Sequence, residues 1–219
     1  MELIEAVKAR HSVRSYTDQK IEGDVKLALQ NAVDACNKES GLNIQLCLDE
    51  PKAFDSMMAR YGKFENCKNY IALIGNNITD ENYGYYGEKL VLSAQQLGLN
   101  TCWVAMTYKK SQAPVKLKKG EKLRIVIALG YGKTDGVPRK SKDMMQLCKV
   151  ESEMQEWFRR GMEAAMLAPT AMNQQKFMLI QSGNKVIAKP LTAFYAKMDL
   201  GIVKYHFEIG AGIDNFQWQ

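Results

Sequence analysis

The sequence predicts an α+β fold in which a mixed sheet is flanked by helices and two degenerate halves repeat one plan. Three observations predict it. Apolar residues recur at helical spacing in several segments, and short alternating or wholly apolar runs of strand length lie between them. The order helix, loop, strand, longer gap and Gly-started helix then occurs twice.

Leu3, Ile4 and Val7 set a short helix over residues 2–9. A polar extended stretch follows over 9–21, then an amphipathic helix over 23–36. Residues 42–48 alternate as a strand does, 51–61 suit a short helix, and 70–74 a buried strand. Tyr86, Leu90, Ala94 and Leu97 share one face of a helix over 81–98, with Gly98 as its stop. Strands are expected at 100–104 and at 123–129, the latter apolar throughout and therefore central.

In the second half, Met154, Trp157, Phe158 and Met162 form the apolar stripe of a helix over 152–167. A loop over 168–173, a strand over 176–180 and a helix over 198–212 complete it. Residues 1–150 are read as the first half and 151–219 as the second, packed as one globular unit. Gly87 and Gly98 are spaced like Gly201 and Gly212, but sixteen glycines give such pairs by chance, so the duplication rests on the order of elements.

The 219 residues are 46% hydrophobic and 25% charged, an ordinary globular composition. The net charge of +6 fits a phosphate-bearing small molecule at least as well as a polyanion. The lysine-rich stretch 109–124 lacks interleaved aromatics after Tyr108. It reads as a solvated loop or helix, with a nucleic-acid patch as the competing reading. Five cysteines (Cys36, Cys47, Cys67, Cys102, Cys148), with no CxxC or CxH cluster, argue against a disulfide framework or a metal site. Reduced thiols suit a cytoplasmic protein. No apolar run reaches signal-peptide or membrane-spanning length, and Glu2 and Glu5 interrupt the beginning of the chain, so no membrane partner is expected.

Three segments could carry chemistry. In Arg10-His11-Ser12-Val13-Arg14, positions 10, 12 and 14 of an extended chain point the same way, so two guanidiniums and a hydroxyl can cradle an oxyanion. The plain alternative is an exposed basic turn. Pro138-Arg139-Lys140-Ser141-Lys142 again alternates basic groups about a serine, or is an exposed loop. In residues 168–175, APTAMNQQ, Pro169 stops a helix at Ala168, and Thr170, Asn173 and Gln175 put small polar groups on a tight turn. The alternative there is an ordinary helix-to-strand loop.

Together these segments resemble the FMN-dependent nitroreductase family. RHSVR is similar to its R-x-S-x-R/K motif and APTAMNQQ to its A-P-[ST]-x-x-N-x-Q loop. YYGEKLVLSAQQLGLNTCWV resembles its central helix and following strand, and LGYGKTDGVPRKSK its phosphate segment. In that family two identical chains pair and each flavin lies at their interface. Here the loop expected after the helix at 23–36 reads NKESGLN, without the proline and with Glu39, while the intact loop stands at 168–175. The second half has no R-x-S-x-R segment. The losses are complementary, so the chain resembles a single-chain pseudo-dimer subgroup that keeps one flavin site.

The resemblance implies that Arg10, Ser12, Lys140 and Lys142 hold the phosphate and ribityl end. Arg14 would stand near the pyrimidine edge or share the phosphate, and His11 would contribute backbone. Pro169, Thr170 and Asn173 would meet the ring from the other half. Trp103, Val104 and Ala105, with Met106, would pass its N5 side, although Trp103 could equally be core. Arg139 and Ala171 complete the expected cofactor set. No protein group need be catalytic, since the chemistry is the cofactor's. The implied activity is ping-pong transfer from NAD(P)H through FMN to a nitroaromatic, quinone or similar small acceptor. The alternative is an FMN carrier or sensor without reductase activity. The expected oligomeric state is a monomer or a weak homodimer. His206 reads as structural, and Met57, Met58, Met144 and Met145 as core or pocket lining.

Overall fold

The computed structural model describes residues 1–219. They form two compact units, one of Arg10–Ile78 and Lys89–Pro138, the other of Met1–Ala9, Thr79–Glu88 and Arg139–Gln219. The α+β class is as expected. The strands, however, divide into two four-stranded sheets, one in each unit.

In the first unit, β1 (Gln45–Cys47), β2 (Asn69–Gly75), β3 (Asn100–Val104) and β4 (Lys122–Gly130) lie in the order β1-β2-β4-β3, antiparallel throughout. Every residue of β2 is buried, and β4 lies between β2 and β3, which explains why both read as unbroken apolar runs. Tyr70, Ala72 and Ile74 of β2 join Val126 and Ala128 of β4 and Cys102 and Val104 of β3 in one core. Phe54 closes that core, its ring 5.0 Å from Phe64 and 5.6 Å from Tyr70.

Helix α2 (Gly23–Ser40) runs four residues past its expected end. Residues 37–40 contain no proline to stop it. It ends instead at Gly41, which is left-handed (φ 71°) and donates its N–H to the Asn37 carbonyl. Glu39, on the added turn, pairs with Lys89 at 2.6 Å. The 51–61 segment is a 3-10 turn at Pro51–Ala53 and a short helix, α3 (Met57–Tyr61), capped by the Ser56 hydroxyl. Met57, Met58 and Met145 are exposed, which corrects a core reading: α3 turns its methionines outward and leaves Ala59 buried. The lysine-rich stretch is irregular apart from a 3-10 turn at Lys110–Gln112 and its last three residues, which begin β4. It is tied to β1 through Gln45, which accepts from the Lys116 N–H and donates to its carbonyl.

The second unit holds α1 (Leu3–Ala9), the first turns of α4 (Asp80–Gln96), α5 (Glu156–Ala165), α6 (Ala196–Ala211) and a mixed sheet. Its strands β5 (Cys148–Val150), β6 (Phe177–Ser182), β7 (Lys185–Pro190) and β8 (Gln217–Trp218) are neighbours in that order. Helix α5 starts at Glu156, later than expected, because residues 151–155 are fastened to β6: the N–H groups of Glu151 and Gln155 donate to the carbonyl and side-chain oxygens of Gln181. Strand β7 went unrecognised in the sequence. It pairs with β6 through the turn Gly183-Asn184, where Gly183 is left-handed (φ 59°).

Helix α6 is the spine of this unit. Its residues pack on α5, β6 and β7, and its Phe207 ring sits among Trp157, Phe158, Phe216 and Trp218. It crosses α4 backbone to backbone. A Cβ on Gly201 would lie 1.9 Å from the Glu81 carbonyl oxygen, and one on Gly84 1.9 Å from the Met198 carbonyl oxygen. Beside the crossing, fully buried His206 donates through Nδ1 to the Ala164 carbonyl at 3.1 Å and sets Nε2 2.8 Å from the Glu88 carboxylate. Tyr85 donates to Glu208 at 2.5 Å, and Lys204 to Glu81 at 2.7 Å. The structural reading of His206 fits this site.

Because backbone atoms cannot yield to a new methyl group, Gly201→Ala and Gly84→Ala should each destabilise the protein by about 3 kcal/mol. The urea midpoint of each variant measures this; a midpoint unchanged from the parent contradicts the crossing.

Candidate functional site

The segment Arg10–Arg14 runs beside β3. Ser12 bridges to Thr101, and the Val13 N–H donates to the Thr101 carbonyl at 3.0 Å. Pairing to a strand imposes the two-residue alternation, so Val13 enters the core while Ser12 and Arg14 are exposed. Arg10 is buried, at 6% exposure, and His11 is half-buried. Burial pushes the Cys102 thiol up, while the Arg14 charge, the Ser12 hydroxyl and the Arg10 charge pull it back. The Arg14 guanidinium also stands 5.9 Å over the Phe64 ring. The turn after β4 covers this segment closely: a Cβ on Gly136 would come within 2.7 Å of the His11 Cβ. Next along β3, Trp103 and Ala105 are half-buried, Val104 is in the core and Met106 is exposed.

The second unit brings 139–142 against 166–175. Arg139 donates to the Met166 carbonyl at 2.6 Å, at the end of α5, where free carbonyls need donors. The Lys142 ammonium donates to the carbonyls of Gln174 and Gln175 at 2.8 and 3.2 Å. Its backbone N–H donates to the Gln175 side chain at 2.8 Å. Asn173 and Gln175 in turn donate to the Lys140 carbonyl at 2.9 and 3.0 Å. Of the three cations, Arg139 and Lys142 are thus turned to the chain's own carbonyls, and Lys140 is exposed.

The loop itself is tightly wound. Met172, Asn173 and Gln175 all have positive φ, at 50°, 53° and 50°. Such residues persist only where surrounding bonds over-determine them. The Gln175 N–H donates to the Thr170 hydroxyl at 3.1 Å, and the Gln174 side chain to the Phe194 carbonyl at 3.2 Å. Pro169 is buried, Thr170 and Ala171 are half-buried, and Asn173 is exposed.

Asp199 of α6 completes the arrangement. Both of its carboxylate oxygens accept from the Ala171 N–H, at 3.0 and 3.1 Å, and the residue is 4% exposed. Its pKa is pushed up to about 7 by burial, against the opposing pull of the Ala171 N–H and the Arg139 charge. Sequence reasoning missed Asp199. An acid in the first turn of a helix reads as a complement to the helix dipole, and only its place beneath Ala171 shows more.

The five cysteines are free and buried, burial pushing Cys36 and Cys47 up to about 11. No cluster of potential metal ligands exists, and no helix is long and apolar enough to cross a membrane.

A family model described as "Putative TM nitroreductase" matches residues 2–211. The chain belongs to this nitroreductase family. Among solved structures, a "putative nitroreductase" of Thermotoga maritima superposes with a TM-score of 0.68 at 22% identity, covering 96% of this chain and 83% of that one. One from Desulfovibrio desulfuricans, determined in complex with FMN, gives 0.52 at 18% identity over 71% and 98% of the two chains. A "Putative NADH dehydrogenase/NAD(P)H nitroreductase" of Parabacteroides distasonis gives 0.52 at 20% identity over 66% and 95%. At these identities the likeness establishes the nitroreductase fold. No curated protein sequence matches significantly.

A carboxyl group with a raised folded-state pKa favours the fold while protonated, and that contribution is lost as pH rises from the unfolded value near 4 through about 7. The protein should therefore lose on the order of 1–3 kcal/mol of stability from Asp199 between pH 5 and pH 8. Asp199→Asn should flatten that part of the Tm-against-pH curve, and parallel curves for parent and variant would contradict the assignment.

Proposed function

We propose that the chain is an FMN-dependent oxidoreductase binding one FMN. The observation that carries the reading is family membership across residues 2–211, which spans all four segments that resemble the flavin motifs. The shared fold of the FMN-bound Desulfovibrio protein supports it.

The donor set fits the group. Ser12, Arg14 and Lys140 are exposed cations and a hydroxyl, with no carboxylate in 10–14 or 139–142, as a phosphate monoester requires. Ser12 and Lys140 would hold the phosphate and ribityl end with Arg10, and the His11 backbone would border them. Lys142 and Arg139 would serve the same end through the loop carbonyls they hold. Arg14 would place positive charge at the pyrimidine edge, where reduction builds negative charge. Thr170 and Asn173 would meet the ring, and Pro169 and Ala171 would set their backbone. Trp103, Val104 and Ala105 would present main chain on the N5 side. Bound FMN supplies the two-electron chemistry, from NAD(P)H to a nitroaromatic, quinone or similar acceptor.

The single site follows the pseudo-dimer reading. At residues 37–43, where a second loop of this kind would be expected, α2 continues to Ser40, and no non-glycine residue there is left-handed.

Titration of the purified protein with FMN should saturate at one flavin per chain, with the visible flavin band bleached by NAD(P)H under anaerobic conditions. Saturation at two, or failure to take up flavin, contradicts the proposal. Lys140→Ala should weaken FMN by about 1.5–3 kcal/mol, roughly tenfold to a hundredfold, since it removes a charge-assisted bond without disturbing the loop.

A further inference from the structure

We propose that Asp199 is a positioning residue: its buried carboxylate holds the Ala171 amide and so sets how Thr170 and Asn173 are presented to the flavin. This rests on reading 168–175 as a flavin loop. Ala171 opens the 3-10 turn Ala171–Asn173, and the N–H at such a start has no partner within the turn. The hydroxyl of Thr170, the residue before, would cap the second or third N–H of the turn rather than this one. That hydroxyl is engaged by the Gln175 N–H instead, and it makes no capping bond. The acceptor is supplied from 28 positions along the chain, by Asp199 of α6 with both oxygens.

The bonds from 140–142 fasten the loop at Asn173, Gln174 and Gln175. Asp199 fastens it ahead of left-handed Met172. A carboxylate serving only the helix dipole could stand in water. This one is 4% exposed and aimed at a single amide.

Three variants test the assignment. Asp199→Asn keeps an oxygen acceptor, and Asp199→Leu keeps the size without one. Ala171→Pro removes the donor itself, and Thr170 is already extended (φ −128°, ψ 152°), as a following proline requires. FMN affinity is read from quenching of flavin fluorescence, and loop order from hydrogen–deuterium exchange of peptides covering 168–175, β2 and β4. Asp199→Leu and Ala171→Pro should each weaken FMN roughly tenfold and speed exchange in 168–175 alone. Asp199→Asn should stay within about threefold of the parent, and the Leu/Pro double variant should be no weaker than either single one, since both remove one bond.

Unchanged affinity in Asp199→Leu, an Asn variant as weak as the Leu variant, or exchange that rises equally in β2 and β4 overturns the proposal. If Asp199→Leu does not fold, Ala171→Pro decides by the same criteria. A parent chain that takes up no FMN overturns the functional reading. Flavin bound equally by parent and variants overturns only the role of Asp199.

Discussion

Two helices meet without side chains between them where Gly84 of α4 faces the Met198 carbonyl and Gly201 of α6 faces the Glu81 carbonyl. Backbone contact of this kind leaves no room for sliding or rotation, so it fixes α6 at one height and one azimuth. Much of the second unit then follows from where α6 lies. His206 reaches Glu88 and Ala164, Phe207 enters the aromatic cluster, and Asp199, two positions before Gly201, comes under the Ala171 amide. A helix packed through larger residues would stand some ångströms further out, and a carboxylate on it could not reach that N–H.

The 168–175 loop depends on such precision because its backbone is costly. Three non-glycine residues within four positions are left-handed, each worth on the order of 1 kcal/mol or more against folding. The compensation is a set of bonds to charged or buried partners: Asp199 at Ala171, Lys142 at two carbonyls, and Gln175 at the Lys140 carbonyl. These also explain why a polar loop keeps one shape while exposing Asn173 and Met172 to solvent.

The same bonds divide the basic residues into two kinds. Arg139 and Lys142 satisfy carbonyls at the end of α5 and in the loop, whereas Lys140, Ser12 and Arg14 face outward. A sequence motif such as P-R-K-S-K treats its cations as equivalent. The fold does not, because carbonyls at the end of α5 and in the loop lie within reach of Arg139 and Lys142.

Much of this was legible beforehand. The apolar runs at 70–74 and 123–129 sit at the middle of a sheet, and the motif segments named the family. The Gly183-Asn184 turn was a hairpin signal in plain view. Local chemistry decides such features: side-chain periodicity, a residue that permits positive φ, a proline that stops a helix. The extension of α2 to Ser40 was less plain, since it depended on a proline that was missing. The glycine crossing, the Glu88–His206 contact and the place of Asp199 belong to tertiary structure alone. Each joins residues 28 to 120 positions apart through packing of whole helices. The sequence by itself determined which residues are polar, flexible or apolar along each element, and with them the family. Which acid meets which amide was decided only when α6 came to rest, because the helix's position depends on every surface packed against it.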